Sequence, residues 1–98
     1  MTRLPRPAAT AGPYETEAQA RAAAAPVYQA ARASGRRGVL AEGNHRLLCE
    51  ALSAAGVELG AYDHAIIEWL AGWEPQACAV VAGLITRAAH AGRGGTSR

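Results

Sequence analysis

From residue 39 to residue 91 the large apolar side chains recur at three- and four-residue intervals, the repeat of a helix with one inward face. Leu40, Leu47, Leu48, Ala51, Leu52 and Ala55 share one arc, opposite Glu42, Arg46, Glu50 and Ser53, which predicts a helix over 39–55 that Gly56 ends. Its one weak point is Gly43-Asn44, where Asn44 offers itself as a new N-cap. A second helix is predicted over 61–72, with Tyr62, Ile66, Ile67, Trp69, Leu70 and Trp73 spread across about 160° of arc. So broad a stripe is expected of the central helix of a bundle, or of one with a side given to an interface. Trp73-Glu74-Pro75 reads as a tight turn, and Pro75 then opens a helix over 75–91. Ala77, Val80, Val81, Leu84, Ile85 and Ala88 form its predicted core stripe. Its other side is small rather than charged, through Ala79, Ala82, Gly83 and Thr86, which reads either as a face that admits another backbone, from the first helix or a second subunit, or as alanine filling an exposed face.

Upstream the pattern is poorer. Thr16 and Gln19 make a capping box for a helix over 16–34, kinked or broken at Pro26, the second piece opening with Pro26 at its first position. Val27 and Tyr28 are its only large apolar residues, so this element is expected to dock last and detach most readily. Residues 1–14, with Pro5, Pro7, Gly12 and Pro13, read as a disordered arm, and 92–98 as a disordered tail. With no alternating pattern of strand length, the expected fold is all-α: one domain over 15–91, a small bundle of three to four helices.

Composition makes that core thin. Half of the 98 residues count as hydrophobic, but 25 of them are Ala, only 19 are Val, Ile, Leu, Met or Trp, and Phe is absent. At this size apolar burial only narrowly exceeds chain entropy, so a homodimer or a protein partner is expected. Charge is small in total, +2, and uneven in place. Glu50, Glu58, Asp63, Glu68 and Glu74 make 47–75 acidic without one arginine, while both ends are basic. All ten basic residues are Arg, within a bias to Ala, Arg and Gly of the kind GC-rich codons impose. No apolar run of membrane-spanning length appears, nor a signal peptide, so the protein is expected in the cytoplasm, with Cys49 and Cys78 as free thiols.

Candidate chemistry is sparse. His45 and Cys49 share a helical face, half of a zinc site with no second pair, and Glu42 and His45 have the ExxH spacing of di-iron bundles without its repeat. His64 and Glu68 lie one turn apart, in the weaker order for a helical pair. The Gly35-Arg-Arg-Gly38 loop lacks the strand and the Lys-Ser/Thr of a phosphate loop. Neither a nucleophile elbow nor a cysteine–base motif is present. No catalytic, metal or cofactor site is therefore expected, nor a small-molecule substrate. Tyr62, Trp69 and Trp73, backed by Ala79 and Gly83, are the candidate protein interface, in competition with a plain core role for the aromatic residues. The alternative function is a small DNA-associated regulator using Arg36, Arg37 and Arg46, although the fourth segment shows only Gln76 where a recognition helix needs several polar side chains.

The stretch Glu58-Leu-Gly-Ala-Tyr-Asp-His-Ala-Ile-Ile-Glu-Trp-Leu-Ala-Gly-Trp-Glu-Pro75, with Ala79-Val-Val-Ala-Gly-Leu-Ile85, resembles short uncharacterised actinomycete proteins associated with phage-like or integrative elements. The resemblance covers about residues 58–88. It implies a source and a genomic setting, an accessory protein of a mobile element, and no functional residues.

Overall fold

A computed structural model describes residues 11–94, with side chains to residue 92. Among these the chain forms five helices: α1 Glu17–Ala23, α2 Ala25–Ser34, α3 Val39–Ala54, α4 Ala61–Leu70 and α5 Pro75–Gly94. The all-α class is as expected. The count exceeds three to four because the first segment is cut in two before Pro26, which sits in the first turn of α2 and cannot supply an amide to a continuous helix.

Local signals set most of the boundaries. Thr16 Oγ1 accepts from the Gln19 amide at 3.2 Å while Gln19 Oε1 accepts from the Thr16 amide at 3.2 Å, closing the capping box of α1. Left-handed Gly35 ends α2, and left-handed Gly38 starts α3. Gly56 (φ 79°) ends α3 in a Schellman turn, in which the Val57 amide reaches Leu52 O and the Gly56 amide reaches Ser53 O, both at 3.0 Å. Asp63 Oδ2 accepts from the Gly60 amide at 2.9 Å and so fixes the entry to α4.

Helices α3 and α5 make the central pair. Leu48, Cys78 and Ala82 are its buried centre, with Leu47, Ala51, Ile67, Leu70 and Val81 packed partly buried around them. α2 crosses α3 at Gly43, where a Cβ would lie 2.9 Å from Val27 Cγ1, so a larger residue would force the helices apart. α3 runs unbroken through Gly43-Asn44, so Asn44 sits inside the helix and is not an N-cap.

α1 lies on α5. Residues 1–10 of the expected arm lie outside the described residues, but the arm does not extend to residue 14: Ala11 is buried on α5 and its carbonyl accepts from Arg87 Nε at 3.0 Å. A Cβ at Gly83 would overlap the Ala11 carbonyl, so that glycine is what lets the backbones approach. The small face of α5 is thus covered by the chain itself, and Ala79 and Gly83 are corrected from interface residues to internal contacts. The predicted stripe on that helix shifts in turn: Leu84 is exposed while Ala79, Ala82 and Gly83 are buried.

A polar cluster holds the first two helices to the start of α5. Tyr28 donates to Gln76 Oε1, and Gln76 Nε2 donates to Glu17 Oε2 and Glu74 Oε1, each at 3.2 Å. Arg21 completes it with an ion pair to Glu17 at 2.8 Å. Because α1 brings mostly alanine to the contact, these hydrogen bonds supply the specificity that apolar bulk does not.

The largest fully buried side chains are Leu48, Asn44 and Cys78, so one of the three is polar. Asn44 Nδ2 donates to Ala71 O at 3.0 Å and to Trp73 O at 2.9 Å, tying the middle of α3 to the turn between α4 and α5. Ala71 caps the end of α4 and Trp73 lies in the turn beyond it. Asn44→Ala should cost about 2–4 kcal/mol in denaturant unfolding, since it removes a fully buried side chain and strands the carbonyl of buried Ala71 and the partly buried carbonyl of Trp73. Asn44→Asp turns an acceptor oxygen toward those carbonyls, and only its protonated acid can donate. Its folded-state pKa is raised, so that variant should be most stable at low pH and lose stability as the acid ionises.

Candidate interaction surface

The α4 helix is tethered at both ends, by the Asp63 cap and by Asn44 on the following turn. It turns Ile67 and Leu70 toward the α3–α5 core. Residues 62, 66, 69 and 73, spaced four, three and four apart, consequently line up on the outer side. Tyr62 is 77% exposed, Trp69 61% and Trp73 52%, with Ile66 also exposed between them. The expectation that these aromatics form the core is thereby corrected. α3 packs against α5 through Leu48 and Cys78, and the space beside that pair admits only one edge of α4.

The tryptophans contact each other, with ring centroids 5.6 Å apart and planes at 75°, an edge-to-face pair. Tyr and Trp side chains carry about 150–250 Å² each, so the stripe leaves several hundred Å² of apolar surface in one place. That matches the largest patches that monomeric proteins carry, about 300–600 Å².

Between α3 and α4, on the side of α4 turned away from the stripe, runs a shallow groove of about 430 Å³ lined by Ala41, Glu42, His45 and Arg46 on one wall and Glu68 and Ala71 on the other. Arg46 and Glu68 share it without an ion pair between them, the ion pairs among the described residues being Arg21–Glu17 and Arg36–Glu42. Arg36 holds Glu42 through both guanidinium nitrogens at 3.1 Å, and that hydrogen bonding, followed by the charge of Arg36, keeps the Glu42 carboxyl below its ordinary range. The predicted basic cluster is therefore partly spent: Arg36 is engaged, Arg37 is exposed in the α2–α3 turn, and Arg46 faces acidic company.

His45 and Cys49 do meet on one face, with Cys49 Sγ 3.8 Å from Nδ1 and 3.7 Å from Nε2. The structure brings no further ligand to them: among the described residues no group of three His, Cys, Asp or Glu is placed to hold a metal. His64 lines a separate groove of about 460 Å³ with Cys49, Leu52, Val57 and Leu59. Among the described residues no helix is long and apolar enough to cross a membrane.

Asn44 and Gln76 are the buried polar residues that pattern reading passes over. A signal was present for Asn44, which falls on the apolar arc of α3, one turn from both Leu40 and Leu48. Gln76 gave none beyond its place in the first turn after Pro75.

Comparison with known protein families, curated proteins and solved structures finds no match to this chain. Nothing of source or function is therefore carried over from the resemblance across residues 58–88.

Both cysteines are free thiols and differ in access. Cys78 is fully buried, its Sγ donates to Leu70 O at 3.4 Å, and burial pushes its pKa up. A thiol-reactive dye at neutral pH should label Cys49 in the folded protein and reach Cys78 only on unfolding, as peptide mapping of the labelled protein would show.

Proposed function

We propose that this protein acts without catalysing a reaction, as a small helical module whose work is protein–protein contact through the outer face of α4. The observation that carries the reading is the exposure of Tyr62, Trp69 and Trp73 in a chain so short of large apolar side chains. Trp and Tyr are the residues most enriched where binding energy concentrates, because they combine large area with few rotatable bonds. Leaving the only two tryptophans in water while alanine fills interior positions costs stability, and a contact surface accounts for that placement. Asp63, one turn from Ile66 on α4, places negative charge near the stripe that can set orientation.

Regulation of DNA through Arg36, Arg37 and Arg46 has weaker support, since Glu42 engages Arg36 and Glu68 stands opposite Arg46. Non-specific DNA affinity is strongest at low salt, so a duplex shift assay there should show no binding, and a salt-sensitive complex would favour the regulator instead.

The main reading is tested by comparing a contact role with a packing role. At low micromolar concentration the Trp69→Ala and Trp73→Ala variants should each unfold within about 0.5 kcal/mol of the parent, as surface substitutions do. Leu48→Ala, at the buried centre, should lose about 2–5 kcal/mol. A loss of the Leu48 size at both tryptophans would make them core residues and end the proposal.

A further inference from the structure

The geometry points to Cys49 as a modification site, at which a small disulfide exchanges with the thiol and His45 takes up the proton. The site is independent of the contact role of α4, and it needs no turnover because the thiol is consumed in forming the adduct. Two features carry it. The first is the base. His45 and Cys49 stand one turn apart on α3, with Sγ 3.8 Å from Nδ1 and 3.7 Å from Nε2. A neutral imidazole carries its proton on one nitrogen and leaves the other as an acceptor, so in either tautomer an unprotonated nitrogen lies beside the thiol. Only the thiolate attacks a disulfide. Cys49 lies in the second half of α3, away from the positive end of the helix, so the dipole does not release that proton and the neighbouring ring does. His45 also lines a groove with Glu68, a carboxylate without an ion pair among the described residues, whose charge favours the imidazolium left by the transfer. Arg46 is the opposing charge in that groove, and Glu42 there is held by Arg36.

The second feature is room for the reagent. Cys49 is partly exposed and lines the separate groove of about 460 Å³ between the end of α3 and the start of α4, whose walls include Leu52, Val57 and Leu59 with Glu58 and His64. A space of that size accepts a small molecule, and the apolar walls suit a neutral, apolar one. Cys78 has neither feature, being fully buried with its Sγ donating to Leu70 O. In the exchange a bond forms from Cys49 Sγ to one sulfur of the reagent as the reagent's own S–S bond breaks. Cys49 is oxidised to the mixed disulfide, the other half of the reagent is reduced to a thiol, and the Cys49 proton passes by way of His45 to that departing sulfur.

Dithiodipyridine, a neutral aromatic disulfide whose released thiopyridone is followed by its absorbance, tests the inference at neutral pH. Peptide mapping should place one thiopyridyl group on Cys49 of the folded protein, and folded Cys49→Ser should take up none. His45→Ala, with circular dichroism to verify its fold, should react about ten-fold or more slowly, and added free imidazole should restore much of the rate. A His45→Ala protein that reacts as fast as the parent overturns the inference. One that is slowed but indifferent to imidazole overturns His45 as the base, because a merely structural role is not rescued by a free base. Modification of Cys78 ahead of Cys49 overturns the site itself.

Discussion

Two hydrogen bonds from one buried amide set the geometry on which the rest of the molecule depends. Asn44 reaches out of α3 to the carbonyls of Ala71 and Trp73 and so decides where α4 stops and how α5 leaves. Apolar packing alone is not directional, and α4 carries apolar residues over so wide an arc that many rotations about its axis would bury comparable area. The amide selects one of them. With it in place, Ile67 and Leu70 face the core and both tryptophans face water.

Around that tether the fold divides its means of cohesion. The α3–α5 pair relies on ordinary apolar burial at Leu48, Cys78 and Ala82. The α1–α2 half has little such area and relies on shape and polar contacts instead: glycine at the two close crossings, and the Gln76 cluster linking α1, α2 and α5. Burying Gln76 would cost the desolvation of its amide, and its bonds to Tyr28, Glu17 and Glu74 offset that cost. Different parts of the chain should therefore open at different free energies, with α1 nearer the low end than α3 or α5.

Much of this was legible in the chain. Helical class, the Thr16 box, the break at Pro26, the glycine stops at Gly35 and Gly56 and the opening of α5 at Pro75 follow from local chemistry and appear where that chemistry puts them, whereas α5 runs past the expected stop at Gly92 as far as Gly94, and residues 95–98 of the expected tail lie outside the described residues. The side of each helix that turns inward was less legible. Tyr62, Trp69 and Trp73 form the densest aromatic patch in the sequence and by hydrophobicity alone belong inside, yet the turn that follows them is held by an asparagine 29 residues before Trp73. Ala79 and Gly83 read as an interface, as a face for the first helix or as exposed alanine, and pattern reading left the choice open; the backbone at Ala11 covers Gly83. Both shortfalls share a cause: periodicity describes one helix at a time, and these choices are made between helices.

The glycines at the crossings also shape how the gene can drift. A glycine codon is one base from alanine, valine, arginine or an acid, and each of those places a carbon where Gly43 meets Val27 or Gly83 meets the Ala11 carbonyl. Elsewhere alanine and arginine can be exchanged on exposed helix faces with little effect. The same mutational pressure is thus harmless over much of the surface and damaging at two codons, so surviving variants of this chain should differ widely in their alanines and arginines while keeping those two glycines.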